Sequence, residues 1–124
     1  MSATPSVNAS LPLRHGDFAT LTEALDYAAQ GETGLNLHSP KGELVEAIPY
    51  SRLRAEARAL AGRMLAAGLK PGDRVAMIAD TDGAFVRAFF ACQYAGLAPA
   101  PMPLPAAFGG KDAYIAHIRR MIES

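Results

Sequence analysis

Between Arg74 and Met102 the sequence switches from strand to helix and back to strand, and few folds accommodate that order. Arg74-Val75-Ala76-Met77-Ile78-Ala79 is a short apolar run. Ala84 to Tyr94 is a helix carrying Phe85, Phe89, Phe90 and Ala91, and Leu97 to Met102 is a second short run. A continuous apolar run of this length reads as a buried strand, and a helix between two strands forces them parallel. The unit is therefore βαβ with a right-handed crossover, which puts the chain in the α/β class. Asp80, Thr81 and Asp82 offer N-cap oxygens to the helix, Gly96 stops it, and Pro99 and Pro101 interrupt the second strand.

Upstream, Thr20 and Glu23 have the spacing of a capping box. They open a helix from Leu21 to Gln30 with Leu21, Ala24, Leu25 and Ala28 on one face and Gly31 as a left-handed stop. Leu35 and Leu37 alternate with Asn36 and His38, Ser39-Pro40-Lys41-Gly42 turns the chain, and Glu43 to Ile48 returns. This is a β-hairpin that Pro49 ends. Ser51 caps a longer helix, Arg52 to Ala67, striped by Leu53, Ala57, Leu60, Ala61, Met64 and Leu65. Arg52, Glu56, Arg58 and Arg63 lie mostly off that stripe. Gly68 closes the helix, and Lys70-Pro71-Gly72-Asp73 is a tight turn. Downstream, a proline-rich loop from Pro101 to Pro105 and then Gly109-Gly110 lead to a last helix from Asp112, with Ile115, Ile118 and Ile122 on one side. The expected inventory is about four helices, a hairpin and one βαβ unit.

Half of the 124 residues are hydrophobic and 19% are charged, which is the composition of a folded domain. Twelve basic residues balance twelve acidic ones, leaving no net field to gather nucleic acid or an anionic membrane. No apolar run approaches the roughly 20 residues of a bilayer span. Met1 to Leu13 has neither the basic start nor the apolar run of a signal peptide. The single cysteine, Cys92, forms no internal disulfide and has no metal-ligand spacing, which suits a reducing cytoplasm. Met1 to Ser10 reads as a loose leader. The expected organisation is a flexible leader over residues 1–17 and one subdomain over 18–124. That subdomain is expected to be incomplete: two parallel strands cannot cover the surrounding helices, and the last helical pattern reaches Ser124 without a stop signal. Exposed apolar surface and self-association are the expected consequence.

Two stretches carry a family likeness. One is Pro49-Tyr50-Ser51-Arg52-Leu53, then Leu65-Ala66-Ala67-Gly68-Leu69 and Lys70-Pro71-Gly72-Asp73-Arg74-Val75-Ala76. The other is Phe89-Phe90-Ala91-Cys92-Gln93-Tyr94-Ala95-Gly96-Leu97 followed by Pro99-Ala100-Pro101. In this order they resemble the start of the adenylate-forming superfamily: acyl-CoA synthetases, nonribosomal adenylation domains and fatty-acyl-AMP ligases. Pro101-Met102-Pro103-Leu104-Pro105 through Gly109-Gly110-Lys111-Asp112-Ala113-Tyr114 looks most like the fatty-acyl-AMP ligase branch. The resemblance implies the N-terminal part of the large adenylate-forming domain. It also implies ATP and Mg2+ as cofactors, a fatty acid as substrate and an acyl carrier protein as acceptor. The superfamily's Ser/Thr/Gly-rich phosphate loop, its aromatic-Gly-x-Thr-Glu segment, its ribose-binding Asp and its C-terminal Lys have no match here, so the piece alone is expected to be inactive.

No catalytic, cofactor-binding or metal-binding residue is assigned within the chain. Ser39-Pro40-Lys41-Gly42 holds a Pro-Lys-Gly triplet, but it has one hydroxyl and no nearby glycine run, and a hairpin turn accounts for it. Asp80 and Asp82 follow a strand, where ligands often sit, yet helix capping explains them. Cys92 reads as a buried inert thiol with no adjacent base. His15, His38 and His117 fit no metal spacing. Phe85, Phe89 and Phe90 read as core, and Arg119-Arg120 as a solvated helix face. The loop from Met102 to Gly110, with Phe108, is either a spacer or the border of a binding cleft or a partner surface. Other classes remain open: an acyl-CoA synthetase or nonribosomal adenylation fragment, a stand-alone binding module, and a small nucleotide-binding α/β protein.

Overall fold

The computed structural model describes residues 11–78, 80–103 and 110–124. The loose leader, Met1 to Ser10, lies outside the described residues, as do Ala79 and residues 104–109, which include Phe108.

Helix α1 spans Leu21–Ala28, and Thr20 caps it by accepting the Glu23 amide at 3.2 Å. The return bond of the capping box comes from the Ala19 amide to Glu23 Oε2 at 3.0 Å, one residue before the cap. Gly31 is not left-handed: the helix ends at Ala28, and Ala29 keeps right-handed geometry while bonding back to Leu25. Ahead of the helix, the Tyr27 hydroxyl donates to the Pro12 carbonyl, and the Arg14 guanidinium lies 4.0 Å over the Phe18 ring.

Strands β1 (Gly34–His38) and β2 (Leu44–Pro49) form the antiparallel hairpin, pairing Leu35 with Ile48 and Leu37 with Glu46. At its tip the Ser39 hydroxyl accepts the Lys41 and Glu43 amides, and Gly42 takes a left-handed φ of 86°. Helix α2 runs Tyr50–Ala66 and corrects the capping assignment: Ser51 lies inside it, and Pro49 is the cap residue without a side-chain bond. Proline's fixed φ passes the chain from strand into helix with no loop, so a hydroxyl cap has no place. Leu53, Ala57 and Ala61 are buried as the stripe requires. Leu65, expected on it, is exposed because the stripe leaves the contact with the rest of the fold near the helix end.

The βαβ unit consists of β3 (Arg74–Ile78), α3 (Gly83–Ala95) and β4 (Ala98–Met102), with the strands parallel from Arg74↔Ala98 to Ile78↔Met102. Asp82 caps α3 through the Phe85 amide at 2.8 Å, and Gly96 ends it at φ 75°. Pro99 and Pro101 do not interrupt β4. The Ala98 amide donates to the Asp73 carbonyl at 2.8 Å, so the prolines fall on the strand's outer edge, where their missing N–H breaks no bond to β3. Strand β3 is not buried on both faces. Met77 packs inward with Val75 beside it, while Arg74, Ala76 and Ile78 face out. Helix α4 covers Lys111–Glu123 and buries no residue.

Two cores meet at α3. One joins Ala61 of α2, Met77 of β3, and Ala91, Cys92 and Ala95 of α3 to Leu97. The other joins Leu25, Ile48 and Leu53, with Val86 and Phe90 packed against it. Tyr94 touches both. Phe85, Phe89 and Phe90 are half-buried core residues, with Phe89 and Phe90 edge to face at 5.5 Å.

Candidate functional site

In open α/β sheets, ligands gather beyond the carboxyl ends of the strands, which here is the end of β3. Its carboxylates are committed to the backbone: Asp80 Oδ1 accepts the Thr81 amide at 2.7 Å and Asp82 Oδ1 caps α3. Beside them Ile78 and the α4 residues Tyr114, Ile115, Ile118 and Ile122 bound an open groove of about 320 Å3. Arg119 and Glu123 line the same groove, whose surface is otherwise apolar and suits an apolar group. A second trough, about 350 Å3, runs along β3 beneath Met64, Phe85 and Ala88.

The Pro-Lys-Gly triplet sits at the hairpin tip, where its hydroxyl is already spent on two amides of its own turn. Cys92 is fully enclosed, and burial pushes its thiol above the ordinary range, the opposite of what a nucleophile needs. His15 and His38 are exposed and His117 is half-buried, on separate segments. Among the described residues no group of three or more His, Cys, Asp or Glu could hold a metal ion. No helix among them is long and apolar enough to cross a membrane.

Two ionic clusters escaped the sequence reading. Arg87 of α3 donates to Glu46 of β2 (2.7 Å) and to Glu56 of α2 (2.8 Å), and Arg52 reaches Glu46 at 3.1 Å. The hydrogen bond from Arg87 holds both carboxyls below the ordinary range, with its charge and that of Arg52 adding to it. In the second cluster Asp26 Oδ1 accepts the Tyr94 hydroxyl at 2.5 Å and Arg54 Nε at 2.7 Å. The Tyr94 bond, then Arg54, lowers the Asp26 carboxyl, while burial and then Asp26 push the Tyr94 phenol up to about 12. Carboxylates so thoroughly paired are held ionised near neutrality, so the clusters fasten elements together and do not exchange protons. The partners are 41 and 68 residues apart in sequence for the Glu46–Arg87 and Asp26–Tyr94 pairs, and no local pattern announces them.

The fold agrees with that of known proteins. Residues 38–111 match the family described as AMP-binding enzyme, and the chain belongs to that family, within the adenylate-forming superfamily. A Caulobacter vibrioides protein, named provisionally as an acyl-CoA synthetase, is 63% identical over 112 residues, 90% of this chain and 20% of its own length. A solved chain from studies of fatty acyl-adenylate ligases from E. coli and L. pneumophila superposes with TM-score 0.84 at 45% identity, covering 91% of this chain and 20% of that one. A fatty acyl-adenylate ligase from L. pneumophila, in complex with acyl adenylate and pyrophosphate, follows at 25% identity and TM-score 0.74, over 86% of this chain and 18% of that one. The chain therefore spans about a fifth of the length of these relatives. The hairpin, parallel strand pair and four described helices are the fold that the resemblance implied.

Proposed function

We propose that the chain is the N-terminal segment of an ATP-dependent fatty-acyl-AMP ligase, with residues 1–17 as its leader and 18–124 as an incomplete subdomain. In this reading the whole enzyme, cytoplasmic and using ATP with Mg2+, converts a fatty acid to acyl adenylate and pyrophosphate. It then passes the acyl group to an acyl carrier protein. The likeness to the fatty acyl-adenylate ligase chain, at 45% identity and TM-score 0.84, carries the reading.

The described residues do not fit a nucleotide phosphate or Mg2+. Asp82, Asp26, Glu46 and Glu56 are engaged with amides, a phenol and guanidinium groups, and the Pro-Lys-Gly turn has one hydroxyl, already bonded. The groups that act on ATP belong to other parts of the longer polypeptide, and this piece alone is inert.

The test is fatty-acid-dependent exchange of pyrophosphate into ATP. The 124-residue chain is expected to stay at the blank and the longer polypeptide to exchange; exchange by the short chain overturns its inertness, and none by the longer one overturns the ligase reading. A second reading, an acyl-CoA synthetase, is favoured by the name of the Caulobacter vibrioides relative. Supplying the longer polypeptide with coenzyme A or with an acyl carrier protein, and finding which becomes acylated, separates the two.

A further inference from the structure

Glycine inside a helix is destabilising relative to alanine, so it is expected where the fold demands its backbone freedom or its missing side chain. Gly62, within α2, meets neither condition. Its φ is not positive, and a Cβ added to it would meet no heavy atom within 4 Å beyond its own stretch of helix. At Gly34 and Gly83, by contrast, the nearest atoms would stand at 2.2 and 2.3 Å. A local preference broken with no gain inside the fold points to a requirement outside it.

Helix periodicity surrounds Gly62 with Arg58 and Ala59 one turn before it and Leu65 and Ala66 one turn after. All five residues are exposed, Leu65 at 41%. The outward side of a solvated helix ordinarily carries polar side chains. Here its centre is bare backbone, methyl groups and one leucine, so another backbone has room to approach closely.

The edges of this face are cationic. The whole chain is balanced in charge, yet α2 holds four arginines against one glutamate. Arg52 and Arg54 are engaged with Glu46, Glu56 and Asp26. Arg58 and Arg63 pair with no carboxylate among the described residues, and Arg58 acts on Asp26 only through space. Beside Arg63 a cleft of about 310 Å3 opens between α2 and α3, bounded by Ala59, Leu60, Glu56 and Arg87. Its one carboxylate, Glu56, is already held by Arg87 at 2.8 Å. Unmatched cations on both sides of an apolar centre select a partner that is acidic on its flanks and apolar between them.

We propose that this face of α2 docks an acidic helix of a separate protein. The partner's backbone crosses at Gly62, an apolar side chain rests on Leu65, and carboxylates on its two flanks reach Arg58 and Arg63. The cleft beside Arg63 receives one further side chain. This face is apart from the groove beside Ile78, since α2 and α4 lie on opposite sides of the strand pair. The inference does not depend on the ligase reading.

The probe is a stapled helix with alanine and leucine on one face and glutamates on both flanks; its control carries glutamines instead. Fluorescence anisotropy with the longer polypeptide should find the glutamate helix bound at least ~10-fold more tightly than the control. Arg58→Gln combined with Arg63→Gln should erase that difference. Gly62→Gln, which lays a long side chain across the crossing point, should weaken binding of the glutamate helix at least ~10-fold. Gly62→Ala should raise the thermal midpoint, and circular dichroism checks that every variant keeps its helices. Equal binding of the two helices, or undiminished binding by Gly62→Gln, overturns the inference. Binding by the 124-residue chain alone means that the rest of the polypeptide covers the face, and overturns it as well. Self-association of the longer polypeptide that Gly62→Gln abolishes assigns the face to a second copy, with the same consequence.

Discussion

Tyr94 ties α1 to α3 through Asp26, which Arg54 holds from α2. Replacing it with Phe keeps the ring in both cores and removes one hydrogen bond to a carboxylate. Chemical denaturation should show Tyr94→Phe less stable by about 1–2 kcal/mol, and the Asp26 carboxyl should move up toward its ordinary range. The phenol itself is raised to about 12, so its contribution is complete below the ordinary tyrosine value of about 10 and is lost as pH climbs toward 12. An ultraviolet titration of the wild type should find one tyrosine lagging behind the others. Nothing near Tyr94 in sequence predicts this, since its partner is 68 residues away. Cys92 is the contrasting case: its apolar helical neighbours alone identify it as an inert core thiol, and it is fully buried.

At the scale of elements, caps and turns were legible because the groups that make them lie within four residues of one another. Thr20, Asp82 and Gly96 act where their spacing placed them. Ser51 and Gly31 did not, because Pro49 and Ala29 had already settled those boundaries. Gly34 went unnoticed, although the hairpin depends on it. A Cβ there would stand 2.2 Å from the Ile48 carbonyl oxygen and 2.6 Å from Pro49 Cα, both backbone atoms of the partner strand. Gly34→Ala should therefore pry open the base of the hairpin at a cost of about 1–3 kcal/mol, by analogy with overpacking. The check is a lowered thermal midpoint together with shifted amide resonances at Leu35 and Ile48.

Across the whole molecule, Arg87 joins the hairpin, α2 and α3 through Glu46 and Glu56. Both carboxyls, and Asp26, are depressed in the folded state. Their contribution is present above the ordinary carboxylate range of about 4 and is lost as pH falls through their lower folded values. Stability should thus drop in acid. Arg87→Met keeps much of the side chain's bulk but removes both bonds, so the variant should melt below the wild type at neutral pH. Near about pH 3, where carboxylates protonate, the difference between the two should narrow. An unchanged gap at both pH values would mean that packing of the Arg87 stem, and not its charge, holds the three elements together.

The sequence by itself determined the order and type of the elements, the parallel crossover and the family likeness, because each depends on residues that are neighbours or follow a short period. Tertiary structure alone decided which distant charges pair, how closely Gly34 must approach Ile48, and that Pro99 and Pro101 face away from β3. Those facts depend on strand register and helix packing, which bring together residues the chain keeps far apart. The place of the prolines is likewise a property of register: changing the pairing by one residue would turn them inward and break the pair.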